Sequence, residues 1–353
     1  MIKCPECGFD ISVSGRMRIF GVHFAKPTDI KPCPASWLNI PDELRRSIVT
    51  SEKDEKETAT ILHTPTICAL TAPEVFHTAH GTPYLKEPGI SIISMPSFYP
   101  AAINSFIASF GFFDADDYVQ DFFTEDKTHA LEDGVALAKF AGQLCYMSFG
   151  EARTKNVDAA KYIDHILQSG HGSVLEHANY TLLFWGIDRS CTHEIVRHRA
   201  GFGFSQVSQR YVNGKTLRFV ERPEYQQDAA LHARFEKWID SARQEYDERA
   251  DALKALKIGE GLPATESRKA RNQAARAALP NETEAPIVIT GNVRAWRNFI
   301  EQRASVNAEP LIRNVALNTY KVLCVVSPLF FDDYKETIDS QGRRALVTAY
   351  RKV

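Results

Sequence analysis

A chain of 353 residues is long enough to bury a sizeable core, as one large domain with an appendage or as two domains. Its 44% hydrophobic and 24% charged residues match ordinary soluble composition, and a formal charge of -2 excludes bulk affinity for nucleic acid or membrane. Any anion-binding role must therefore be local.

Seven scattered cysteines, an odd number, suit a reducing compartment better than a disulfide framework, so the cytoplasm is the expected location. The start, MIKCPECGFD, lacks the basic and apolar regions of a secretory signal. The most apolar stretch, residues 90–113, is broken by Pro96, Pro100 and several serines, which argues against a membrane span.

In chain order, residues 1–87 read as an appendage, with several prolines and a charged linker, SEKDEKET, at 51–58. Cys4 and Cys7 form half of a zinc ribbon and are weak metal candidates. No second pair follows, and completing a site would need His23 and Cys33 at untypical spacing. From about residue 88 the pattern is that of an α+β domain. A strand is predicted at 90–94, helices at 134–149 and 157–168, and a strand at 177–187. Asp188 then caps a helix running to about Arg199, which Gly201 stops. A strand at 217–221, helices at about 227–256 and 265–278, and a strand at 287–291 follow. Asn292 caps the next helix, and a last helix covers about 309–325. Residues 336–353 read as a tail.

Three segments can carry chemistry. Arg197, His198 and Arg199 end a helix and lead into a flexible run containing Gly201 and Gly203. Cations favour a helix C-terminus, so a solvated basic turn is one reading. The other is a phosphate-bearing ligand, because arginine forks match phosphate oxygens and glycines let backbone N–H groups come close. In GHGSVLEHANY (170–180), His171, Ser173, Glu176 and His177 are either a cap with core histidines or ligand groups. On the helix after Asn292, at about 100° per residue, Trp296, Phe299, Ile300 and Arg303 share one stripe while Arg294 and Asn298 lie roughly opposite. An arginine on an apolar stripe needs an acceptor, either a carboxylate or a substrate carbonyl. Polar groups on both faces suit a helix lying between two ligands or two subunits.

Other chemistries fit poorly. In HEIVRH the histidines are five apart and do not share a helix face, which removes a zinc-protease site. The glycine run lacks the third glycine of a dinucleotide fingerprint, and GFSQV is not a nucleophile elbow. No cysteine has a base beside it in sequence.

Together the three segments resemble the flavin-dependent thymidylate synthases, whose signature is RHR, seven residues, then a serine opening an S-x-R-Y unit. Here eight residues separate Arg199 from Ser208-Gln209-Arg210-Tyr211. GHGSVLEH resembles the family's upstream histidine-glutamate segment, and residues 279–305 its C-terminal substrate segment. The resemblance covers roughly 88–330, and a catalytic domain at 88–335 is expected.

The resemblance implies an α+β fold peculiar to the family, with a central mixed or antiparallel sheet flanked by helices, assembled as a homotetramer with shared active sites. It implies reductive methylation of dUMP to dTMP, with methylenetetrahydrofolate and NADPH as co-substrates and FAD as cofactor. The dUMP site would draw on Glu194, Arg197, Gln206, Ser208, Arg210 and Arg303. Arg303, the catalytic residue, would contact the uracil ring and favour its ionised form. FAD would be held by Ser173, Arg197, His198, Arg199, Gln206, Asn292, Arg294 and Asn298, with His171 and Glu176 nearby. Pro286 stands where many members have an arginine, Asn307 where histidine is usual and Leu311 where glutamate is frequent. Pro286, Asn307 and the longer loop keep open a flavin enzyme that acts on another pyrimidine nucleotide or transfers a different one-carbon group, and a non-catalytic nucleotide-binding protein is the alternative from another class.

Overall fold

In a computed structural model of the chain, residues 2–3, 10–11, 73–110, 122, 130–149 and 158–351 are described. The chain divides into two units, Met1–Thr66 and Ile67–Val353. In the first, strands β1 (Ile2–Lys3) and β2 (Asp10–Ile11) pair antiparallel. Cys4, Cys7, His23, Cys33 and the 51–58 run lie outside the described residues.

The second unit is α+β. Its strands are β3 (Val75–His77), β4 (Pro83–Leu85), β5 (Gly89–Ser94), β6 (Asn179–Trp185), β7 (Phe202–Gln206), β8 (Phe219–Val220), β9 (Ile287–Asn292), β10 (Lys335–Ile338) and β11 (Arg344–Val347). The central sheet has the order β5-β6-β9-β7, and every neighbouring pair is antiparallel. A smaller sheet, β3-β4-β8, is mixed, and β10 and β11 form a hairpin.

Among the described residues the α-helices are α1 (Asn104–Ala108), α2 (Asp133–Tyr146), α3 (Ala159–Gln168), α4 (Arg189–Ile195), α5 (Ala229–Ala255), α6 (Ala264–Ala275), α7 (Val293–Arg303), α8 (Pro310–Val326) and α9 (Pro328–Phe331). Strand β6 alternates strictly: Tyr180, Leu182 and Phe184 are buried, while Thr181, Leu183 and Trp185 are only partly so. In β9, Ile287 and Ile289 turn to the same core. This period of two is what an antiparallel sheet shows when one face meets the core and the other stays accessible. Helices α7 and α8 bring Trp296, Phe299, Ile300, Leu311, Ile312 and Val315 to that core. Trp296 fixes α7 on the sheet: its indole N–H donates to the Tyr180 carbonyl at 3.3 Å, and its ring meets Phe202 of β7 edge-on at 4.8 Å.

Two expectations change. The run after Arg199 is not a flexible loop: Phe202–Gln206 forms edge strand β7, whose register with β9 runs without a break from Phe202↔Gly291 to Gln206↔Ile287. Aromatic burial of Phe202 and Phe204 overrides the loop tendency of the interleaved glycines. The helix expected to reach Arg199 ends at Ile195, so the basic triplet lies beyond its end. The C-terminal residues are built in: Leu346 N–H donates to the Ala304 carbonyl at 2.9 Å, and Arg297, 1% exposed, forms a bidentate pair with Asp333 at 2.6 and 2.9 Å.

Candidate functional site

Two side-chain caps place the site. Asp188 accepts from Cys191 N–H at 2.7 Å and starts α4, which carries Thr192 and Glu194. Asn292 accepts from Ala295 N–H at 2.8 Å and starts α7, which ends on Arg303. Each cap satisfies a backbone donor that has no partner inside its helix. Strand β7 is the third element, entered through a turn at Gly201, whose φ of +76° is left-handed. A Cβ there would also lie 2.8 Å from the Asn292 amide nitrogen.

The ends of α4 and α7 meet through Arg303. Its Nη1 donates to Glu194 Oε2 at 2.9 Å and its Nε donates to His198 Nε2 at 2.9 Å. The acceptors in this chain are thus a carboxylate and a neutral imidazole. Among the described residues, two of its five guanidinium N–H donors are used, which leaves three to offer a ligand. His198 is buried and packs edge-on against Phe299 at 5.3 Å. Burial, followed by the charges of Arg303 and Arg197, pushes its imidazole down from 6.5 to about 4. The ring is therefore neutral at physiological pH, with its proton on Nδ1.

The basic triplet divides. His198 points inward, whereas Arg197 and Arg199 are exposed and have no ion-pair partner among the described residues. On β7, Gly203 and Ser205 face outward, opposite Thr290 and Val288 of β9. A Cβ at Gly203 would meet nothing within 4 Å, so the chain's own packing does not require glycine there. An open strand face beside two unpaired arginines fits an extended, phosphate-bearing cofactor.

The remaining expected residues fall in three places. Gln206 is half-buried, and its Nε2 donates to Thr192 Oγ1 at 2.6 Å. Ser208 and Arg210 lie in the turn after β7, where Arg210 donates to Gln273 of α6 at 3.4 Å. On the outer side of α7, Arg294 donates to Glu176 at 2.6 Å, and Asn298 accepts from Gln302 at 2.8 Å. His171, Ser173 and His177 are exposed around the 3-10 turn Gly172–Glu176, so the reading of core histidines does not hold. Arg294 and Arg303 are nine residues apart, about 180° around the helix, and therefore serve opposite sides of it.

Sequence reasoning missed Thr192 and Arg222. Thr192 reads as one more helical residue. Arg222 donates to Asp188 at 2.8 Å and pairs with Glu309, which itself caps α8 by accepting from Ile312 N–H at 3.2 Å. One arginine thus ties two helix starts together. No local pattern signals it, because its partners are 34 and 87 residues away.

Thiol chemistry is poorly served. Cys191 is buried, and burial pushes its thiol well above the ordinary range, the opposite of what a nucleophile needs. Among the described residues, no group of three or more His, Cys, Asp or Glu could hold a metal ion, and no helix is long and apolar enough to cross a membrane.

A family model described as thymidylate synthase complementing protein matches residues 128–329, which include every segment of the site. The chain is similar to the flavin-dependent thymidylate synthase of Mycobacterium tuberculosis strain H37Rv, at 44% identity over 215 residues, covering 61% of this chain and 85% of that protein. It is similar to the enzyme of the same name from Mycolicibacterium gilvum strain PYR-GCK, at 43% over 209 residues, covering 59% and 83%. A third, from Mycobacterium sp. strain JLS, is 44% identical over 208 residues, covering 58% and 81%.

Proposed function

The chain belongs to the flavin-dependent thymidylate synthase family, and from that premise we propose how its residues divide the work of making dTMP. In this reading dUMP is methylated with the one-carbon unit of methylenetetrahydrofolate and the reducing equivalents of NADPH. FAD, when bound, supplies the hydride-transfer chemistry. Catalysis is assigned to residues 88–335.

The dUMP site comprises Glu194, Arg197, Gln206, Ser208, Arg210 and Arg303. The observation that carries the reading is the fixed guanidinium of Arg303, held by Glu194 and His198 with donors to spare. A preorganised cation beside the uracil ring stabilises negative charge that develops on it, which makes carbon 5 nucleophilic without a cysteine. The inert state of Cys191 is consistent with that route.

FAD is assigned to Arg197, Arg199, Ser173, Gln206, Arg294 and Asn298, with His171 and Glu176 beside them. His198 and Asn292 are assigned to it as well: Arg303 occupies His198 Nε2 and Ala295 N–H occupies Asn292 Oδ1, so the imidazole Nδ1–H and the Asn292 NH2 group are what they offer the cofactor. Because Arg294 and Arg303 serve opposite sides of α7, the helix is placed between two sites, which supports a homotetramer with active sites shared between subunits.

The test is a turnover assay on the purified, flavin-loaded protein. The expected result is dTMP formed from dUMP only when both methylenetetrahydrofolate and NADPH are present. Turnover that ignores either compound removes that co-substrate from the proposal.

A further inference from the structure

We propose that Thr192 is a positioning residue for the nucleotide: it holds the Gln206 amide so that the carbonyl oxygen, not the NH2 group, is offered to the ligand. The site then reads a hydrogen-bond donor at this point. The inference rests on the reading of Gln206 as a dUMP residue.

Thr192 is 1% exposed, on the inner side of α4. Its hydroxyl has a single hydrogen, and this is donated to the Arg189 carbonyl at 3.1 Å. A carbonyl cannot donate, so the direction of that bond is fixed. Thr192 Oγ1 therefore accepts at its second contact, the 2.6 Å approach of Gln206, and the atom facing it is the NH2 nitrogen. Turning the amide over would require the hydroxyl to swing onto Gln206 Oε1, and the bond to Arg189 would be lost. A lost hydrogen bond at a buried hydroxyl is a standing bias against that state.

Both partners sit on fixed elements. Thr192 lies in a helix capped by Asp188, and Gln206 is the last residue of β7, paired with Ile287 of β9. An amide held in this way presents one oxygen in one direction, which is what a site needs for selection by hydrogen bonding. At neutral pH the donors available on dUMP are the 3′-hydroxyl of the sugar and N3–H of the ring. Gln206 Oε1 is assigned to one of these two.

The experiment compares Thr192→Val, Thr192→Ser and Gln206→Ala in the flavin-loaded enzyme. Thr192→Val keeps the shape but removes the hydroxyl, and is expected to raise KM for dUMP roughly fivefold, with kcat at saturating dUMP little changed. Thr192→Ser restores the hydroxyl and KM. Two competitive ligands then identify the donor: the analogue lacking the 3′-hydroxyl and the analogue methylated at N3. The one missing the group read by Gln206 should bind wild type and Thr192→Val equally, while the other should bind Thr192→Val more weakly. A Thr192→Val enzyme with wild-type KM, alongside a Gln206→Ala enzyme with raised KM, overturns the positioning role. Both analogues weakening equally on Thr192→Val overturns the donor assignment. A wild-type KM in Gln206→Ala overturns the placement of Gln206 at the substrate, and the proposal with it.

Discussion

Arg303 Nε donates to His198 Nε2 at 2.9 Å, so the middle residue of the basic triplet acts as a hydrogen-bond acceptor. A second bond from Nη1 to Glu194 Oε2 fixes the guanidinium plane. Arg303→Ala is expected to lower dTMP formation at least about 100-fold, the usual cost of removing a preorganised charge at a reacting group. Arg303→Lys should fare little better, because an ammonium cannot reproduce the fork. Size-exclusion elution should match wild type in both. Wild-type turnover in Arg303→Ala would exclude a role at the uracil ring.

The same imidazole makes stability depend on pH. Its value falls from 6.5 to about 4 on folding, so between these values the unfolded chain binds more protons than the folded one. The stability this group contributes is present above pH 6.5 and is lost as pH falls toward 4, on the order of 3 kcal/mol in all. Thermal unfolding across this window should show His198→Gln with a shallower slope than wild type. Parallel slopes would remove His198 as the source.

Arg222 is expected to be structural. Removing it leaves the buried carboxylate of Asp188 and the cap carboxylate of Glu309 without their shared cation. Arg222→Met should cost about 3 to 5 kcal/mol, the range for breaking one side of a buried pair. Denaturant unfolding measures it, and Asp188→Asn in the same chain should recover part of the loss by removing the orphaned charge.

The two glycines should respond in opposite ways. Gly201→Ala forces a Cβ against Asn292 at a left-handed φ and should destabilise by more than about 1 kcal/mol. Gly203→Val has open space and extended backbone, so the fold should tolerate it, while the flavin bound per chain falls if the cofactor crosses that face. Unchanged flavin absorbance at full occupancy would place the cofactor elsewhere.

What the sequence made legible was local. Asp188 and Asn292 are caps because their short acceptors precede helical patterns, and the Trp296, Phe299 and Ile300 stripe follows from helix periodicity alone. The three segments of the site were readable because each is contiguous. Strand β7 was hidden because Gly201 before it and Gly203 within it mask the period-two placing of Phe202, Phe204 and Gln206. The β10 and β11 hairpin was hidden because every residue of β10 is exposed, which leaves no apolar alternation to detect. Arg222 and Arg297 carry no local sign of burial, because their partners Asp188, Glu309 and Asp333 come beside them only when the chain closes.

The unbroken pairing of β7 with β9, continued by the bond between Val207 N–H and the Pro286 carbonyl, means that the eight residues between Arg199 and Ser208 hold no bulge. The left-handed turn at Gly201 is the one place in that stretch where the backbone departs from the strand. Whatever Gly203, Ser205 and Gln206 present is therefore spaced by the sheet's own repeat, two residues to a step, and not by the freedom of a loop.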